Sequence, residues 1–243
     1  MILHLKLPQS ALRMFALFLL LAALGVAQSA SPTEAIHKKI HSNCPGKNTF
    51  ALTFSDGIFN STTYSILDIL DEFKVKATFF VSAFQLADAK NEAAVKEAVR
   101  RGHTIGSLGY SHRDMTKLSK QDFDMEIEKS QRAIQQVTGG AKPKYFRAPY
   151  GTISESMVDR LKSFGLKTVN HNVNPMDWRD TATEREIIKC VATCVEKNES
   201  GILLLHDLYP STISALPAII RTIRRMGKKI SSIDECLAPV DNN

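Results

Sequence analysis

The chain has 243 residues, a formal net charge of +6 and 44% hydrophobic residues. A chain of this length can form one domain with a substantial hydrophobic core. The basic residues are scattered and no nucleic-acid recognition motif is present, so nucleic acid is not an expected partner. One basic cluster lies near the end of the chain, at residues 221–229. We interpret it as a solvated helix face with favourable charge at a helix C-terminus, and a polyanion-binding patch is the alternative.

The first 30 residues have the pattern of a secretory signal peptide. Lys6 and Arg13 precede an apolar run at residues 14–26, and small residues follow it. The run is short for a transmembrane helix, so an uncleaved anchor is the less favoured alternative. We therefore predict a signal peptide at residues 1–30 and a single domain at residues 31–243. The mature protein is predicted to be secreted, extracellular or wall-associated, with no membrane attachment and a formal net charge of +4 once Lys6 and Arg13 are removed.

Four cysteines occur in a chain that is predicted to enter an oxidising compartment, where disulfides are the default. Cys44 and Cys236 bracket the domain, and a bridge between them would connect its two ends. Cys190 and Cys194 lie four residues apart on a predicted helix, close enough to join locally. We therefore predict the disulfides Cys44–Cys236 and Cys190–Cys194. Metal binding by the second pair is an alternative, but no second Cys or His pair lies nearby in the sequence.

Two glycosylation sequons accompany the predicted secretion. Asn60 and Asn198 each begin an Asn-x-Ser/Thr triplet. The first triplet lies just after Asp56 and Gly57, at the end of an apolar, strand-like run where a site is expected, and a glycan there could crowd a substrate. Asn60 and Asn198 are therefore candidate glycosylation sites.

Strand and helix patterns alternate after a short polar lead. The predicted strands are residues 50–54, 77–81, 104–107, 145–147, 167–173, 201–205 and the surroundings of Ile230. The predicted helices are residues 62–73, 91–101, 120–138, 154–164, 183–197 and 211–226. Strands that are separated by helices imply parallel β/α units. We predict a single distorted (β/α) barrel of about seven strands, and an open doubly wound sheet is the alternative.

Five short motifs occur in order along the chain, each at or just after the end of a predicted strand. They are Thr-Phe-Ser-Asp-Gly at residues 53–57, Ser-Leu-Gly-Tyr-Ser-His at 107–112, Arg-Ala-Pro-Tyr-Gly at 147–151, Asn-Pro-Met-Asp-Trp at 174–178 and Leu-Leu-Leu-His-Asp at 203–207. This ordered set resembles the polysaccharide deacetylases, the NodB homology domain of carbohydrate esterase family 4, which includes chitin deacetylases. The resemblance runs from about Thr49 to Leu237. It implies a barrel whose site lies at the carboxyl ends of the strands.

The first two motifs depart from the family pattern at the groups that activate water. In the family, the first motif reads Thr-Phe-Asp-Asp-Gly, a general base followed by a metal ligand. Here Ser55 occupies the base position and Asp56 the ligand position. The second motif of the family supplies two histidine ligands, but here Leu108 occupies the first position and His112 the second. The resemblance therefore implies a remnant metal site of Asp56 and His112 with no bound cofactor, and zinc or cobalt as the metal if the protein is active.

The third motif is intact, and the fourth has lost one carboxylate. By resemblance, Arg147 would orient the base carboxylate, and the backbone N–H of Tyr150 would help to form the oxyanion hole beside the substrate. Because the base is absent, Arg147 has lost its expected partner, and a structural pairing with Asp56 or another rim carboxylate is the alternative. Asn174 stands where the family has the first Asp of its fourth motif.

The remaining motif residues correspond to the general acid and the sugar cleft. By resemblance, His206 is the general acid and Asp177 hydrogen-bonds it. Trp178 is the only tryptophan, and we expect it either to form a wall of the sugar cleft or to serve packing alone. Leu204 is expected to line the pocket for the acetyl methyl group.

Three arrangements could restore catalysis. His103 could replace the lost ligand, but the strand that it precedes should direct it elsewhere. Asp114 could act as a base, which the sequence neither supports nor excludes. Ser55, His206 and Asp177 could form a nucleophilic triad. The base and the acid flank the substrate in this family, so Ser55 is expected to lie beyond hydrogen-bonding distance of His206.

The sequence therefore predicts a secreted, disulfide-stabilised, deacetylase-like protein that is catalytically impaired or inactive. A positioned general base is typically worth about 10²–10⁴-fold in rate, and its loss overlaps with the loss of a metal ligand because both activate the same water. The expected partner is an acetylated polysaccharide such as chitin, bound by a monomer, and a structural role in a coat or wall is an alternative. The alternatives are an active N-deacetylase with a rearranged site and a scaffold that binds neither sugar nor metal.

Overall fold

The computed structural model describes residues 39–239, so the predicted signal peptide lies outside the described residues. The strands are β1 (Thr49–Ser55), β2 (Thr78–Val81), β3 (Thr104–Ser107), β4 (Tyr145–Phe146), β5 (Lys167–Thr168), β6 (Gly201–His206) and β7 (Lys229–Ser231). The helices are α1 (Asn60–Glu72), α2 (Ala89–Arg100), α3 (Lys120–Val137), α4 (Glu155–Ser163), α5 (Glu184–Lys197), α6 (Pro210–Arg225) and α7 (Ile233–Cys236). Most bounds agree with the predicted ones to within two residues.

The seven strands of the described region form one parallel sheet that curls into a distorted barrel. The hydrogen-bonded order is β5-β4-β3-β2-β1-β6, and β7 pairs with the first half of β1. In the pairing of β1 with β6, Ser55 lies opposite His206, so the first and fifth motifs share one end of the barrel. An isolated bridge between Val173 and Leu203 connects the segment after β5 back to β6. The predicted (β/α) barrel is therefore confirmed.

Strand β1 is buried on both faces. Phe50, Leu52 and Phe54 belong to the main hydrophobic cluster, and Ala51 belongs to a second cluster. Apolar residues on both faces are typical of a parallel strand that is covered by helices on one side and by core side chains on the other. The strand consequently holds Ser55 rigidly at its carboxyl end.

The largest difference between the predicted and the observed strands lies at residues 167–173. Strand β5 contains only Lys167–Thr168. Val169 forms an isolated bridge with His41, and Val173 forms one with β6. Because the segment pairs with three different partners in succession, it cannot continue as one regular strand, and the residues between the two bridges are irregular.

One of the two predicted disulfides is present. Cys44 and Cys236 are joined, which confirms the bridge between the two ends of the domain. The predicted Cys190–Cys194 bridge is wrong, because both residues are free thiols on α5. Side chains four residues apart on an intact helix have Cβ atoms about 5–6 Å apart, whereas a disulfide requires about 3.5–4.5 Å. The regular helix therefore keeps the two thiols unjoined.

The two sequons lie at helix ends. Asn60 is the first residue of α1, and Asn198 caps the C-terminus of α5. Their glycosylation stays a prediction. Among residues 39–239, every helix is too short or too polar to cross a bilayer.

Candidate functional site

The five motifs meet in one cleft at the carboxyl ends of the strands. The cleft has a volume of about 500 Å³. The motif residues that line it are Ser55, Asp56, Leu108, His112, Arg147, Ala148, Pro149, Tyr150, Gly151, Asn174, Trp178, Leu204 and His206. Asp177 is completely buried and contacts the side chain of His206. Residues that are far apart in the sequence therefore converge at one rim, as barrels of this type place their sites.

Asp56 lies between two histidines. Its Oδ1 is 2.9 Å from Nε2 of His112, and its Oδ2 is 3.6 Å from Nε2 of His206. Burial by itself would raise the pKa of Asp56, but the hydrogen bond to His112 and the neighbouring positive charges lower the pKa below its usual value. The same hydrogen bond raises the pKa of His112. The pair therefore favours a carboxylate facing an imidazolium.

Two polar side chains hold the loops that carry Asp56 and His112. Nε2 of Gln85 donates to the backbone oxygen of Asp56 at 3.0 Å. Glu126 on α3 is buried, and its Oε2 accepts from the two backbone N–H groups just before His112, at 3.0 and 2.8 Å. Asp56 and His112 have φ angles of 65° and 58°, a left-handed conformation that costs about 1 kcal/mol or more for each non-glycine residue. These hydrogen bonds help to maintain the two strained positions.

Arg147 is a buried cation whose hydrogen bonds go to uncharged groups. Its Nη1 donates to the hydroxyl of Ser55 at 3.0 Å and to the hydroxyl of Thr53 at 2.8 Å. Its Nη2 donates to the backbone oxygen of Asn170 at 3.2 Å. Burial lowers the pKa of Arg147 to about 9, and the attraction of Asp56 offsets this only in part. The alternative in which a rim carboxylate pairs directly with Arg147 is therefore not realised among the described residues.

His206 is oriented by Asp177. Nδ1 of His206 is 2.7 Å from Oδ1 of Asp177. Oδ2 of Asp177 accepts from the backbone N–H of His206 at 2.8 Å and from the hydroxyl of Thr212 at 2.7 Å. Because Nδ1 faces this carboxylate, Nε2 is left to face Asp56 and the cleft. The hydrogen bond that the resemblance implies is present, and the role of His206 as a general acid stays a prediction.

The residues at the implied metal site do not fit a metal ion. Leu108 is 2% exposed, packs in one hydrophobic cluster with Phe80 and has no lone pair to donate. The two remaining candidate ligands, Asp56 and His112, hydrogen-bond each other directly. Catalytic zinc sites use three protein ligands and a water. Within residues 39–239, no group of three or more His, Cys, Asp or Glu side chains is arranged to hold a metal ion.

The three arrangements that could restore catalysis are not assembled in the described chain. Nδ1 of His103 accepts from a backbone N–H just before β2, at the opposite end of the sheet from the cleft. Asp114 caps the short helix that follows it and does not line the cleft. The hydroxyl of Ser55 accepts from Arg147, and both ring nitrogens of His206 face carboxylates.

Three further cleft residues lie outside the motifs and were not predicted from the sequence. Asn170 and His171 follow β5, and Tyr209 follows β6. The rings of Tyr209 and His206 meet edge to face, with centroids 6.0 Å apart. Burial lowers the pKa of His171 to about 4, and the nearby charge of Arg147 adds to this effect. Polar residues in an irregular segment carry no periodic signal, so only the fold identifies them.

The family model for polysaccharide deacetylase matches residues 42–169. The chain belongs to this family. A peptidoglycan-N-acetylglucosamine deacetylase of Listeria monocytogenes is 31% identical over 185 residues, which cover 76% of this chain and 38% of that protein. The chain therefore spans well under half the length of this curated relative.

Solved structures of the family have the same fold. The chitin deacetylase from the fungal pathogen Colletotrichum lindemuthianum aligns with a TM-score of 0.77 and 26% identity over 84% of this chain and 93% of that chain. A family 4 pseudoenzyme from Bacillus anthracis aligns with a TM-score of 0.75 and 25% identity over 86% of this chain and 70% of that chain. A mutant of that pseudoenzyme, with restored enzymatic activity, aligns with a TM-score of 0.75 and 26% identity over 86% of this chain and 72% of that chain. The fold is thus compatible both with catalysis and with its absence.

Proposed function

We propose that this protein is a secreted, deacetylase-like protein that binds an acetylated polysaccharide such as chitin and does not deacetylate it. The proposal includes a signal peptide at residues 1–30 and a monomeric domain at residues 31–243. The observation that carries it is the hydrogen bond from Arg147 to Ser55, because this serine stands where the family has its general base.

Hydrolysis of an N-acetyl group requires an activated water, and the cleft lacks the groups that would activate one. Among the described residues that line the cleft, Asp56 is the one carboxylate. Its lowered pKa and its hydrogen bond to His112 make it a poor base. Leu108 offers no ligand to a metal ion. His206 could still protonate a leaving amine, but this step follows the attack of water and cannot replace it.

The parts of the cleft that would contact a sugar remain. Trp178 and Tyr150 are 47% and 71% exposed, so their ring faces are available to the apolar faces of sugar rings. Leu204 adds aliphatic surface to the cleft, against which an acetyl methyl group could pack. The likeness to a chitin deacetylase supports a chitin-like ligand, and the likeness to a pseudoenzyme supports binding without turnover.

Binding and catalysis are tested separately on the purified secreted protein. Calorimetric titration with N-acetylglucosamine oligomers should show binding, and Trp178→Ala should weaken it. Zinc titration should show no tight site, and incubation with the same oligomers should release no acetate above the level of a buffer control. Absence of oligomer binding would contradict the proposed partner, whereas zinc-dependent acetate release by the wild type would contradict the proposed inactivity.

Restoration of the lost groups tests the chemical reason for inactivity. The double variant Ser55→Asp/Leu108→His supplies a base and a third ligand, and Asn174→Asp can be added to it. The matched control is Ser55→Asn/Leu108→Gln, which has side chains of similar size without a carboxylate or an imidazole. We expect zinc binding and acetate release in the first double variant and neither in the control. The restored activity of the Bacillus anthracis pseudoenzyme mutant supports this design.

The competing function is an active metal-dependent N-deacetylase with a rearranged site. The observation in its favour is the distance of 3.6 Å between Nε2 of His206 and Oδ2 of Asp56. These side chains do not form a three-ligand site in the present arrangement, so this function requires them to rearrange around the metal ion. Micromolar or tighter zinc binding by the wild type, together with acetate release, would establish this function. If neither sugar nor zinc binds, a purely structural role is the remaining interpretation.

A further inference from the structure

A cluster of positive charge covers the end of the barrel opposite to the cleft. We call it the basal patch. Its members lie near the end of α6, just after α6 and just after α1, and all are exposed or partly exposed: Arg221, Arg224, Arg225, Lys228 and Lys74. The next residue, Lys229, begins β7 and pairs with Thr49 at the start of β1. The basal patch therefore lies where the strands begin, whereas the cleft lies where they end.

Contacts with neighbouring segments hold the basal patch in place. Nη2 of Arg224 donates to the backbone oxygen of Phe73 at 2.6 Å. The guanidinium of Arg221 lies over the ring of Phe73, 5.4 Å from its centroid. Nζ of Lys228 donates to Oδ1 of Asn48 at 2.8 Å. These partners are uncharged, so they order the cations without neutralising them.

Acidic partners are absent from the basal patch. Within residues 39–239, none of the salt bridges involves one of its members. By contrast, Lys96 on α2 pairs with Glu92 one turn earlier, at 2.5 Å. The sequence offers no such partner along α6, because no acidic residue occurs between Asp207 and Asp234.

Helix stability accounts for only part of this charge. A helix C-terminus favours cations in the last turn, which contains Arg224 and Arg225. Arg221 lies before the last turn and four residues from Arg225, and like charges at this spacing destabilise a helix. Lys74 lies on a different segment, after α1. The basal patch is therefore more positive than the stability of α6 requires.

The acidic residues at the border of the basal patch do not balance it. Glu199 pairs with Lys47 at 3.3 Å, and Glu235 pairs with Lys229 at 3.6 Å. Glu72, the last residue of α1, is one carboxylate beside five cations. The surface around the end of α6 consequently attracts anions.

The chemistry of the basal patch favours an anionic sugar polymer over a membrane or a nucleic acid. The apolar face of α6 is buried in the core, as Ile219, Ile220 and Ile223 show, so it is not available to enter a lipid surface. The sequence has no nucleic-acid recognition motif. Guanidinium groups bind oxyanions such as carboxylates through paired hydrogen bonds. Single exposed ion pairs are weak, so a polymer that contacts several cations at once suits this surface.

We propose that the basal patch binds an anionic polysaccharide, a sugar polymer that carries sulfate or carboxylate groups. The site is at the opposite end of the barrel from the cleft, and binding there does not require sugar binding in the cleft. If the cleft binds a neutral polysaccharide as proposed above, one domain would join a neutral polymer to an anionic one.

The test measures binding of the purified secreted protein to heparin, which is sulfated, and to polygalacturonate, which is carboxylated, at about 0.15 M salt. At least one polymer should bind, and its binding should weaken as salt is added. The variant Arg221→Gln/Arg224→Gln/Arg225→Gln should bind about 5- to 50-fold more weakly, the combined effect of three exposed ionic contacts. Replacement of the same three arginines by lysine should retain most of the binding, which separates the loss of charge from the loss of the contacts with Phe73.

The matched control removes the same net charge from exposed cations that have acidic partners. It is Lys96→Gln/Lys117→Gln/Arg132→Gln, and it should change the affinity by less than about 2-fold because these charges are screened from the basal patch. Equal weakening by the two glutamine variants, or equal weakening by the glutamine and lysine variants of the patch, would overturn the proposal.

Other polymers and surfaces complete the test. Dextran, which is neutral, should not bind at the basal patch. If the wild type binds neither heparin nor polygalacturonate, the proposal is wrong, and binding of phosphatidylserine vesicles or duplex DNA in their place would assign a different partner. Binding of N-acetylglucosamine oligomers should be the same in the wild type and in the glutamine variant of the patch, so the proposed function of the cleft stands or fails separately.

Discussion

Replacement of Ser55 by aspartate would give the buried guanidinium of Arg147 the carboxylate that it lacks. Introduction of a charge at a position that is 3% exposed ordinarily destabilises a protein. Here we expect Ser55→Asp to stabilise the protein, because the guanidinium cation of Arg147 is already buried beside this position. The lowering of the pKa of Arg147 from 12.5 to about 9 corresponds to a cost of about 5 kcal/mol for holding the charged form in the fold. This cost is fully present below about pH 9, where Arg147 is protonated in both the folded and the unfolded state.

The expected gain follows from the distance between the two groups. Nη1 of Arg147 lies 3.0 Å from Oγ of Ser55. At an effective dielectric constant of about 20, opposite charges at this separation attract by about 5 kcal/mol. The introduced carboxylate loses several kcal/mol of hydration. The net effect should be that of a charge-assisted hydrogen bond, about 1.5–3 kcal/mol of added stability.

The assay is urea unfolding followed by circular dichroism at neutral pH. Ser55→Asp should be more stable than Ser55→Asn, which has the same shape and no charge. In an Arg147→Met background the order should reverse, because the new carboxylate is then buried without a partner, at a cost of about 3–5 kcal/mol. Lower stability of Ser55→Asp than of Ser55→Asn in the otherwise wild-type protein would refute the description of Arg147 as an unpaired cation.

Two further predictions concern the cysteines and a histidine. The double variant Cys44→Ser/Cys236→Ser should lower the free energy of unfolding by up to about 5 kcal/mol, because the bridge spans 192 residues. Thiol titration of the wild type, unfolded without a reducing agent, should detect two free thiols, those of Cys190 and Cys194. Burial lowers the pKa of His103 from 6.5 to about 4. On acidification the unfolded chain therefore binds a proton at this histidine before the folded protein does. The free energy of unfolding should fall by up to about 3 kcal/mol between pH 6.5 and pH 4. His103→Gln should flatten this acid limb in urea unfolding at several pH values.

The sequence predicted the candidate site better than it predicted the contacts within that site. Each motif followed a strand, and parallel strands bring their carboxyl ends to one rim, so the convergence of Asp56, His112 and His206 was expected. The direct hydrogen bond between Asp56 and His112 was not expected, because the resemblance implies that both residues are ligands of one metal ion. The sequence also did not determine the partners of Arg147, because it is compatible both with an ion pair to a carboxylate and with a hydrogen bond to Ser55.

Local patterns determined the order of strands and helices, the barrel and the position of each motif at a strand end. These properties depend on periodicity and on residues that are close in the chain, so a single sequence contains them. Only the tertiary structure decided that α5 keeps Cys190 and Cys194 apart, that the segment after β5 leaves His171 in the cleft, and that Arg147 is buried beside hydroxyl groups. These depend on helix geometry, on the curvature of the sheet and on contacts between residues that are distant in sequence, none of which a local pattern specifies.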